Sequence, residues 1–596
     1  MLLQTIDWVI ISGFLLLSLI IGLAVSKRAG KNSSEFFLSG RTMPWWLLGM
    51  SMVATTFSTD TPNLVTDIVR QNGVSGNWAW WAFLITGMLT VFVYARLWRK
   101  SEVSTDIEFY ELRYSGKSAS FLRGFRSLYL GIAFNVLSMS GVTLAAIKIG
   151  EIMLDLTPIE TIGIASLVTV IFSTLGGFRG VILTDFILFF TALIGAIAAA
   201  FYSVSLPEVG GLKGLLSHEI VSDKLSMIPD FEDKETFISI LIIPIAIQWW
   251  SSWYPGSEPG GGGYVAQRML AAKNEKHAIG ATLFFNVAHY AVRPWPWIIV
   301  ALASMIVFPD LESIKAAFPN ISPDKLGHDL AYPAMLTYLP AGLLGLVLAS
   351  LIAAYMSTIS THLNWGSSYV VYDFYKRFVN PEASEKELVN IGRVSTVLMM
   401  AMAAIIALFL TNAKVLFDFI LLFGAGTGLI FILRWFWWRI NAWSEIAAMT
   451  SSGIVAWILS LDTITASMES YAWLKLPLGV GITTAIWLIA TFLTAPDNEE
   501  KLRDFYRKTK PGGPGWKKVI KDAQKEGLDL NEGEIGKWNV PNGIAAMFAG
   551  CFFVYSTLFA TGYWLYGQIA SASILTLVAL LSGYFLSKLW SKVSVA

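Results

Sequence analysis

Charge is scarce in this chain of 596 residues: only 14% are Asp, Glu, Lys or Arg, against about 25% in a typical soluble domain. That shortage excludes an ordinary water-soluble fold of this size. The net charge of +1 excludes a basic surface for nucleic acid. Cysteine is almost absent. Cys551 stands alone, so neither an intrachain disulfide nor a cysteine-built metal cluster can form. No Walker loop, dinucleotide fingerprint, HExxH or Ser-His-Asp pattern occurs, which leaves no nucleotide-driven engine and no recognisable catalytic centre. The first apolar stretch, roughly 5–25, lacks a basic region before it and a small-residue cleavage site after it. It reads as a retained helix, not a signal peptide.

What is abundant is apolar residue, 55% of the chain, with a mean hydropathy of +0.58. It comes in long blocks, many of which reach the roughly 20 residues needed to cross a bilayer. Hydropathy predicts about 15 spans: near 5–26, 45–70, 75–99, 122–152, 158–176, 179–204, 236–254, 276–308, 341–375, 385–411, 413–438, 443–461, 473–494, 541–567 and 569–590. With the N-terminus outside and the C-terminus in the cytoplasm, most of the 43 lysines and arginines fall on the cytoplasmic side, as the positive-inside rule requires. The expectation is a multi-pass protein of the inner (plasma) membrane. A polar segment at 495–539 reads as a cytoplasmic linker, with one amphipathic helix near Trp516–Glu526 or as a plain solvated loop. The tryptophans at 78–81 read as an interfacial belt.

Three places within the spans carry chemistry. The second span opens as a good apolar helix at Trp45 and changes at Ala54, where Thr55, Thr56, Ser58, Thr59, Asp60 and Thr61 crowd ahead of Pro62. Proline cannot donate a backbone bond and pushes the preceding Thr61 out of the α region. This pattern fits a discontinuous membrane helix whose freed carbonyls line a cavity or bind a cation. The alternative is a continuous helix with hydroxyls bonded back to i−4 carbonyls. Asp60 is the deeper of two carboxylates here; Asp67, beside Arg70, fits a rim salt bridge. In the ninth span, Ser357, Thr358, Ser360 and Thr361 follow two alanines, and Ser357, Ser360 and Thr361 share one helical face. Such oxygens suit a hard alkali cation, or else simple small-residue helix packing. Asp185 lies about two turns into the sixth span with no cation within a turn in sequence. A bound cation, a proton, a distant partner or nearby hydroxyls and helix ends must balance it.

Other residues are candidates for holding a solute: Thr59, Asp60, Thr61, Asn77, Asn135, Gln248 and Trp249. Gln248 and Trp249 precede the Gly/Pro-rich run 255–263, which hints at a second interrupted helix paired with the first. Arg293, between His289 and Pro294, falls within a span and could meet an acid or a solute carboxylate.

Taken together, Phe36-Phe-Leu-Ser-Gly-Arg-Thr-Met-Pro-Trp-Trp46, the run Gly176–Phe186, Gln267-Arg-Met-Leu-Ala-Ala-Lys273, and Ala353–Thr361 continuing to Asp373-Phe-Tyr-Lys376 resemble the sodium:solute symporter family over roughly 5–495. The resemblance implies an all-α polytopic protein with a LeuT-type core of two inverted five-helix repeats, here about 45–204 and 236–438. Around it would lie an N-terminal extra helix and loop (1–44), an outer loop (205–235), two additional helices (439–494), the 495–539 linker and a terminal hairpin (540–596). It implies a first sodium site from the carbonyls of Ala54, Phe57 and Ala354 with the hydroxyls of Ser357 and Thr358. A second sodium site would use Asp185, Ser360 and Thr361.

The expected function is sodium-coupled import of a small organic solute by alternating access, with two sodium ions. A sugar or polyol is favoured because aromatic walls with scattered hydroxyls, amides and a carboxylate stack and hydrogen-bond such molecules. Alternatives are a carboxylate or amino-acid solute, a proton-coupled carrier in which Asp185 or Asp60 titrates, and a transporter-like sensor. The sequence points to no obligate protein partner and to no enzyme.

Overall fold

The computed structural model describes residues 3–251, 258–411, 413–530 and 540–594, so residues 255–257 of the Gly/Pro-rich run lie outside the described residues. Helices dominate; the only bridge among the described residues joins Met43 to Ala272. Among the described residues, eleven helices are long and apolar enough to cross a bilayer. The elements that matter below are α1 (Thr5–Ala29), α2 (Trp45–Thr55), α3 (Asp60–Asn72), α4 (Val74–Ser101), α5 (Gly116–Leu154), α6 (Pro158–Val204), α7 (Gly263–Ala271), α8 (Glu275–Val307), α9 (Leu343–Val379) and α10 (Glu385–Ala407). They are followed by α11 (Ala413–Leu433), α12 (Ala442–Leu459), α13 (Lys475–Leu493), α14 (Glu499–Thr509), α15 (Lys517–Lys525), α16 (Val540–Leu565) and α17 (Ile569–Ser594).

At 47 residues α6 would be about 70 Å long if straight, more than twice a hydrocarbon core. It is not straight. Gly177 has φ 51° and ψ −162°, a conformation open essentially to glycine alone. The chain folds back there. Ile164 and Ala165 share a small cavity with Leu348, Leu351 and Ile352 of α9, while a Cβ on Gly195 would sit 3.1 Å from Ser350 Oγ. Residues some thirty apart thus meet the same stretch of α9. The reversal brings the second leg past α9 in the opposite direction and delivers Asp185 to the level of Ser357.

Ion pairs and arginines fix both ends of the bundle. At one face Lys148 of α5 bonds Asp329 at 2.7 Å and Glu151 meets Lys325 at 3.4 Å. Arg70 at the end of α3 donates to the carbonyls of Ser304 and Phe308 and to His328. At the other face Glu258 is paired with both Arg126 and Arg434, and Arg434 also meets Glu445 at 3.5 Å.

The 495–530 stretch is more than a solvated loop. The helix expected near 516–526 is present as α15, and α14, which was not foreseen, lies before it. Phe505 and Trp516 are fully buried and stack at 5.6 Å. Trp516 donates its indole N–H to the Trp435 carbonyl at 2.9 Å. The Arg113 guanidinium lies over the rings of Tyr114, Phe505 and Trp516. Trp78, Trp80 and Trp81 also depart from expectation. They are buried, packed against Tyr555, Phe559, His289 and Tyr290, because the terminal hairpin and α8 cover the face that hydropathy alone would leave to lipid.

Gly177→Ala is expected to destabilise the protein by about 1–3 kcal/mol, the usual cost of forcing a non-glycine residue into such a backbone region. Its Cβ would also crowd the Phe36 carbonyl at 3.1 Å and Ala29 at 3.2 Å. A lowered thermal midpoint in detergent checks this; an unchanged midpoint would show that the turn tolerates a side chain.

Candidate ion and solute site

The second span is broken as its sequence suggests. α2 ends at Thr55 and α3 begins at Asp60, with Thr56–Thr59 non-helical between them. Pro62 lies in the first turn of α3, where no N–H is needed, so the break ends earlier than a reading from Pro62 predicts and Thr61 is helical. Exposed carbonyls at this depth need donors, and most are supplied locally. Phe57 N–H reaches the Ala54 carbonyl at 3.0 Å, and the Thr56 hydroxyl donates to Val53 at 2.9 Å. The Thr61 hydroxyl donates to the Thr56 carbonyl at 3.3 Å. Two donors come from elsewhere: the Thr358 hydroxyl of α9 bonds the Thr55 carbonyl at 2.7 Å, and Arg293 of α8 reaches the Val53 carbonyl at 3.5 Å.

Beside that contact four elements converge on a buried carboxylate. Asp185 of α6 accepts from Ser51 of α2 at 2.5 Å and, through its other oxygen, from Ser357 of α9. Arg268 of α7 stands 3.9 Å from the same carboxylate. Its guanidinium also donates to Thr361 at 2.8 Å, Ser51 at 3.1 Å and Thr55 at 3.3 Å. Thr55 and Thr361 hydroxyls lie 3.2 Å apart. Ser51, Thr55, Asp185, Arg268, Ser357, Thr358 and Thr361 are all at most 2% exposed. The result is a buried cluster of hard oxygen atoms, the donor type that alkali cations take. Ala354 is buried on the same helix, and Ser360 donates to the Ser357 carbonyl at 3.1 Å. Among the described residues no three His, Cys, Asp or Glu gather as a transition-metal site would require. Ser51 and Arg268 did not stand out in sequence. The only signal for Arg268 was its place in the Gln267–Lys273 motif.

A second cluster lies on the far side of the break. Arg293 is 2% exposed, with its guanidinium over the rings of Phe57 and Trp297. It donates to Thr56 at 3.2 Å. His289 also bonds Thr56, at 3.1 Å, and packs against Trp80 and Tyr290. Asp60 stands half-buried at the first position of α3. Asn63, a residue not singled out in sequence, is 3% exposed and makes no hydrogen bond through either amide atom.

The remaining candidates are engaged within the fold. Asn77 donates to the Val74 carbonyl and accepts from Trp80. Asn135 clips α5 to α9 through His362. Gln248 donates to the Ala79 carbonyl at 2.6 Å, Trp249 packs on Trp250, and the Thr59 hydroxyl donates to Val142. The second interruption expected here falls partly on residues 252–257, outside the described residues; residues 258–262 are non-helical and α7 begins at Gly263, after Gly260 and Gly261 at φ 84° and 93°. A Cβ on Gly260 would touch the Tyr94 ring at 3.0 Å.

An all-helical, multi-pass membrane protein with a broken helix against a hydroxyl-bearing one is a transporter architecture, not an enzyme. The chain belongs to the sodium:solute symporter family, whose model matches residues 36–453. It is 26% identical over 470 residues to a sodium/glucose cotransporter of Vibrio parahaemolyticus, covering 76% of this chain and 84% of that one. It is 27% identical over 461 residues to the sodium/myo-inositol cotransporter 2 of Oryctolagus cuniculus, covering 72% and 66%. A solved Na+-coupled sialic acid symporter superposes with a TM-score of 0.63 at 21% identity, over 83% of this chain and 99% of that one. That likeness establishes the LeuT-type fold. The protein is a sodium-coupled symporter.

Asp185→Asn leaves Arg268 buried without its carboxylate. Removing one partner of a buried pair typically costs about 3–5 kcal/mol, so a clearly lower thermal midpoint is expected. The double variant with Arg268→Gln should regain much of it. If the double variant is no better than the single one, the two side chains are not energetically coupled.

Proposed function

We propose that this chain imports a small polyhydroxylated solute with two sodium ions, by alternating access between two inverted five-helix repeats at about 45–204 and 236–438. The observation that carries the ion reading is the convergence of Ser51, Thr55, Asp185, Ser357, Thr358 and Thr361 where the broken helix crosses α9. The first ion takes the Ala54, Phe57 and Ala354 carbonyls with Ser357 and Thr358; the second takes Asp185, Ser360 and Thr361. Arg268 lies among the second group of oxygens. It acts there as a tethered cation that balances Asp185 whenever sodium has left, so that sodium entry must move α7. Counting α6 as two crossings, α2 with α3 as one and the helical segment at 234–246 as one more, the chain makes about 15 crossings. Its N-terminus is outside and its C-terminus in the cytoplasm of a plasma-membrane protein.

The polyhydroxylated reading draws on the relatives named for glucose and myo-inositol. It also draws on the aromatic rings, Asp60 and the free amide of Asn63 beside the break. A carboxylate-bearing solute is the second reading, favoured by the buried Arg293 at the same place.

In proteoliposomes, an inward sodium gradient should drive accumulation of a labelled hexose or cyclitol, and Ser357→Ala or Thr358→Ala should abolish it. Uptake at unaltered sodium dependence in those variants would sink the ion assignment, and uptake driven by a pH gradient without sodium would favour proton coupling. Arg268→Gln should make half-saturating sodium fall several-fold while the Hill coefficient stays near that of the wild type. A coefficient that drops to one in wild type would leave a single ion. A thermal-shift screen of neutral and acidic sugars with and without sodium separates the two solute readings, since only a bound solute raises the midpoint.

A further inference from the structure

A cleft of about 710 Å³ runs between α8 and the terminal hairpin, outside the transport site. Two glycines open it. A Cβ on Gly280 of α8 would sit 3.2 Å from Trp45, and one on Gly583 of α17 would sit 3.3 Å from the Phe553 ring. Phe553 of α16 forms the back wall, and Leu283, Phe284 and Val287 continue the apolar floor. From Lys276 to Val287 the floor climbs about 16 Å along a helix, close to half of a 30 Å hydrocarbon core.

One end of the cleft is different. α8 starts where α17 finishes, so Lys276 and His277 lie at the same end as Ser587 and Trp590. His277 Nδ1 accepts the Trp45 backbone N–H at 3.0 Å, which places its proton on Nε2 and makes that atom a donor. Lys276 is exposed there. The adjacent acid, Glu275, faces Arg96 at 3.9 Å. The mouth therefore offers an ammonium and an imidazole N–H, with tryptophans of the kind that sit at headgroup level; the Ser587 hydroxyl is spent on the Tyr584 carbonyl. Cationic mouth and acyl-length apolar floor together match one amphiphile with an anionic head.

We propose that this cleft is a binding site for an anionic phospholipid, its phosphodiester held by Lys276 and His277 and one acyl chain lying along Gly280–Val287. A zwitterionic lipid would bring its own cation toward Lys276 and is disfavoured. The site touches the transport machinery at one point. Trp45 is the first residue of α2, the helix that breaks at the ion site, and its ring packs on Phe284. A lipid in the cleft steadies the foot of that helix.

The test is native mass spectrometry of the full chain in detergent with equimolar dioleoylphosphatidylglycerol and dioleoylphosphatidylcholine. The wild type should retain one phosphatidylglycerol more than phosphatidylcholine. Lys276→Gln should weaken that retention about fivefold, the factor equivalent to the roughly 1 kcal/mol that a lysine gains near anionic lipid. Its melting in lipid-free detergent should be unchanged, because the side chain is exposed. Gly583→Leu, which fills the cleft, should remove the retained lipid as well. Equal retention of the two lipids would overturn the proposal, as would phosphatidylglycerol retention undiminished by Lys276→Gln. The readout needs neither solute nor sodium.

Discussion

A carboxylate fully buried between membrane-spanning helices constrains everything packed around it. Asp185 can remain charged there only if hydrogen-bond donors and a cation reach it. Ser51, Ser357 and Arg268 do so from three separate elements. Each has its own dependency. Ser51 is placed by the helix that must stop at Thr55, Ser357 by the alanine-lined face of α9, and Arg268 by a helix that begins only after a glycine-rich gap. Asp185 itself arrives through the reversal at Gly177. The discontinuities thus serve one purpose: they let polar groups from distant parts of the chain meet at a depth where continuous helices would present only apolar surface.

Much of this was legible in the sequence, and the rest was hidden for definable reasons. Runs of apolar residues and the Thr/Ser-rich interruption before Pro62 are local signals, so the helices, the break and the hydroxyl face of α9 could be read directly. The partner of Asp185 could not, because Arg268 is far away in sequence and nothing local ties the two. Amides misled for the opposite reason. Asn77 and Asn135 look available in sequence, yet a turn and a neighbouring helix use their hydrogen-bonding groups. Trp78–Trp81 resemble an interfacial belt until the terminal hairpin covers them. Composition likewise made 495–539 look like solvent-exposed chain, since its buried aromatics, Phe505 and Trp516, are few among many charges.

The closures at the two faces differ in character. At the Lys148 face the contacts are discrete: two ion pairs of opposite sense and one arginine that bonds a helix end. They join a loop to a helix and can separate as a unit. At the Arg113 face the charges are layered with rings, and Arg126 and Arg434 each lie over aromatic side chains while holding Glu258. Glu258 immediately precedes the glycine-rich gap that leads into α7. Motion of α7 relative to the bundle must therefore rearrange that carboxylate and its arginines as well as the polar cluster around Asp185.

The aromatic cage of Arg113 has a consequence for the order in which the protein acquires its structure. The arginine and Tyr114 are made early, the carbonyls that it bonds at Arg434 and Trp437 much later, and Trp516 later still. During synthesis this cation waits, incompletely enclosed, while most of the bundle assembles around it. The contact that finishes the cage joins residues about 400 positions apart, a long loop to close. Docking of α14 and α15 onto Arg113 therefore waits until the chain through Trp516 has been made.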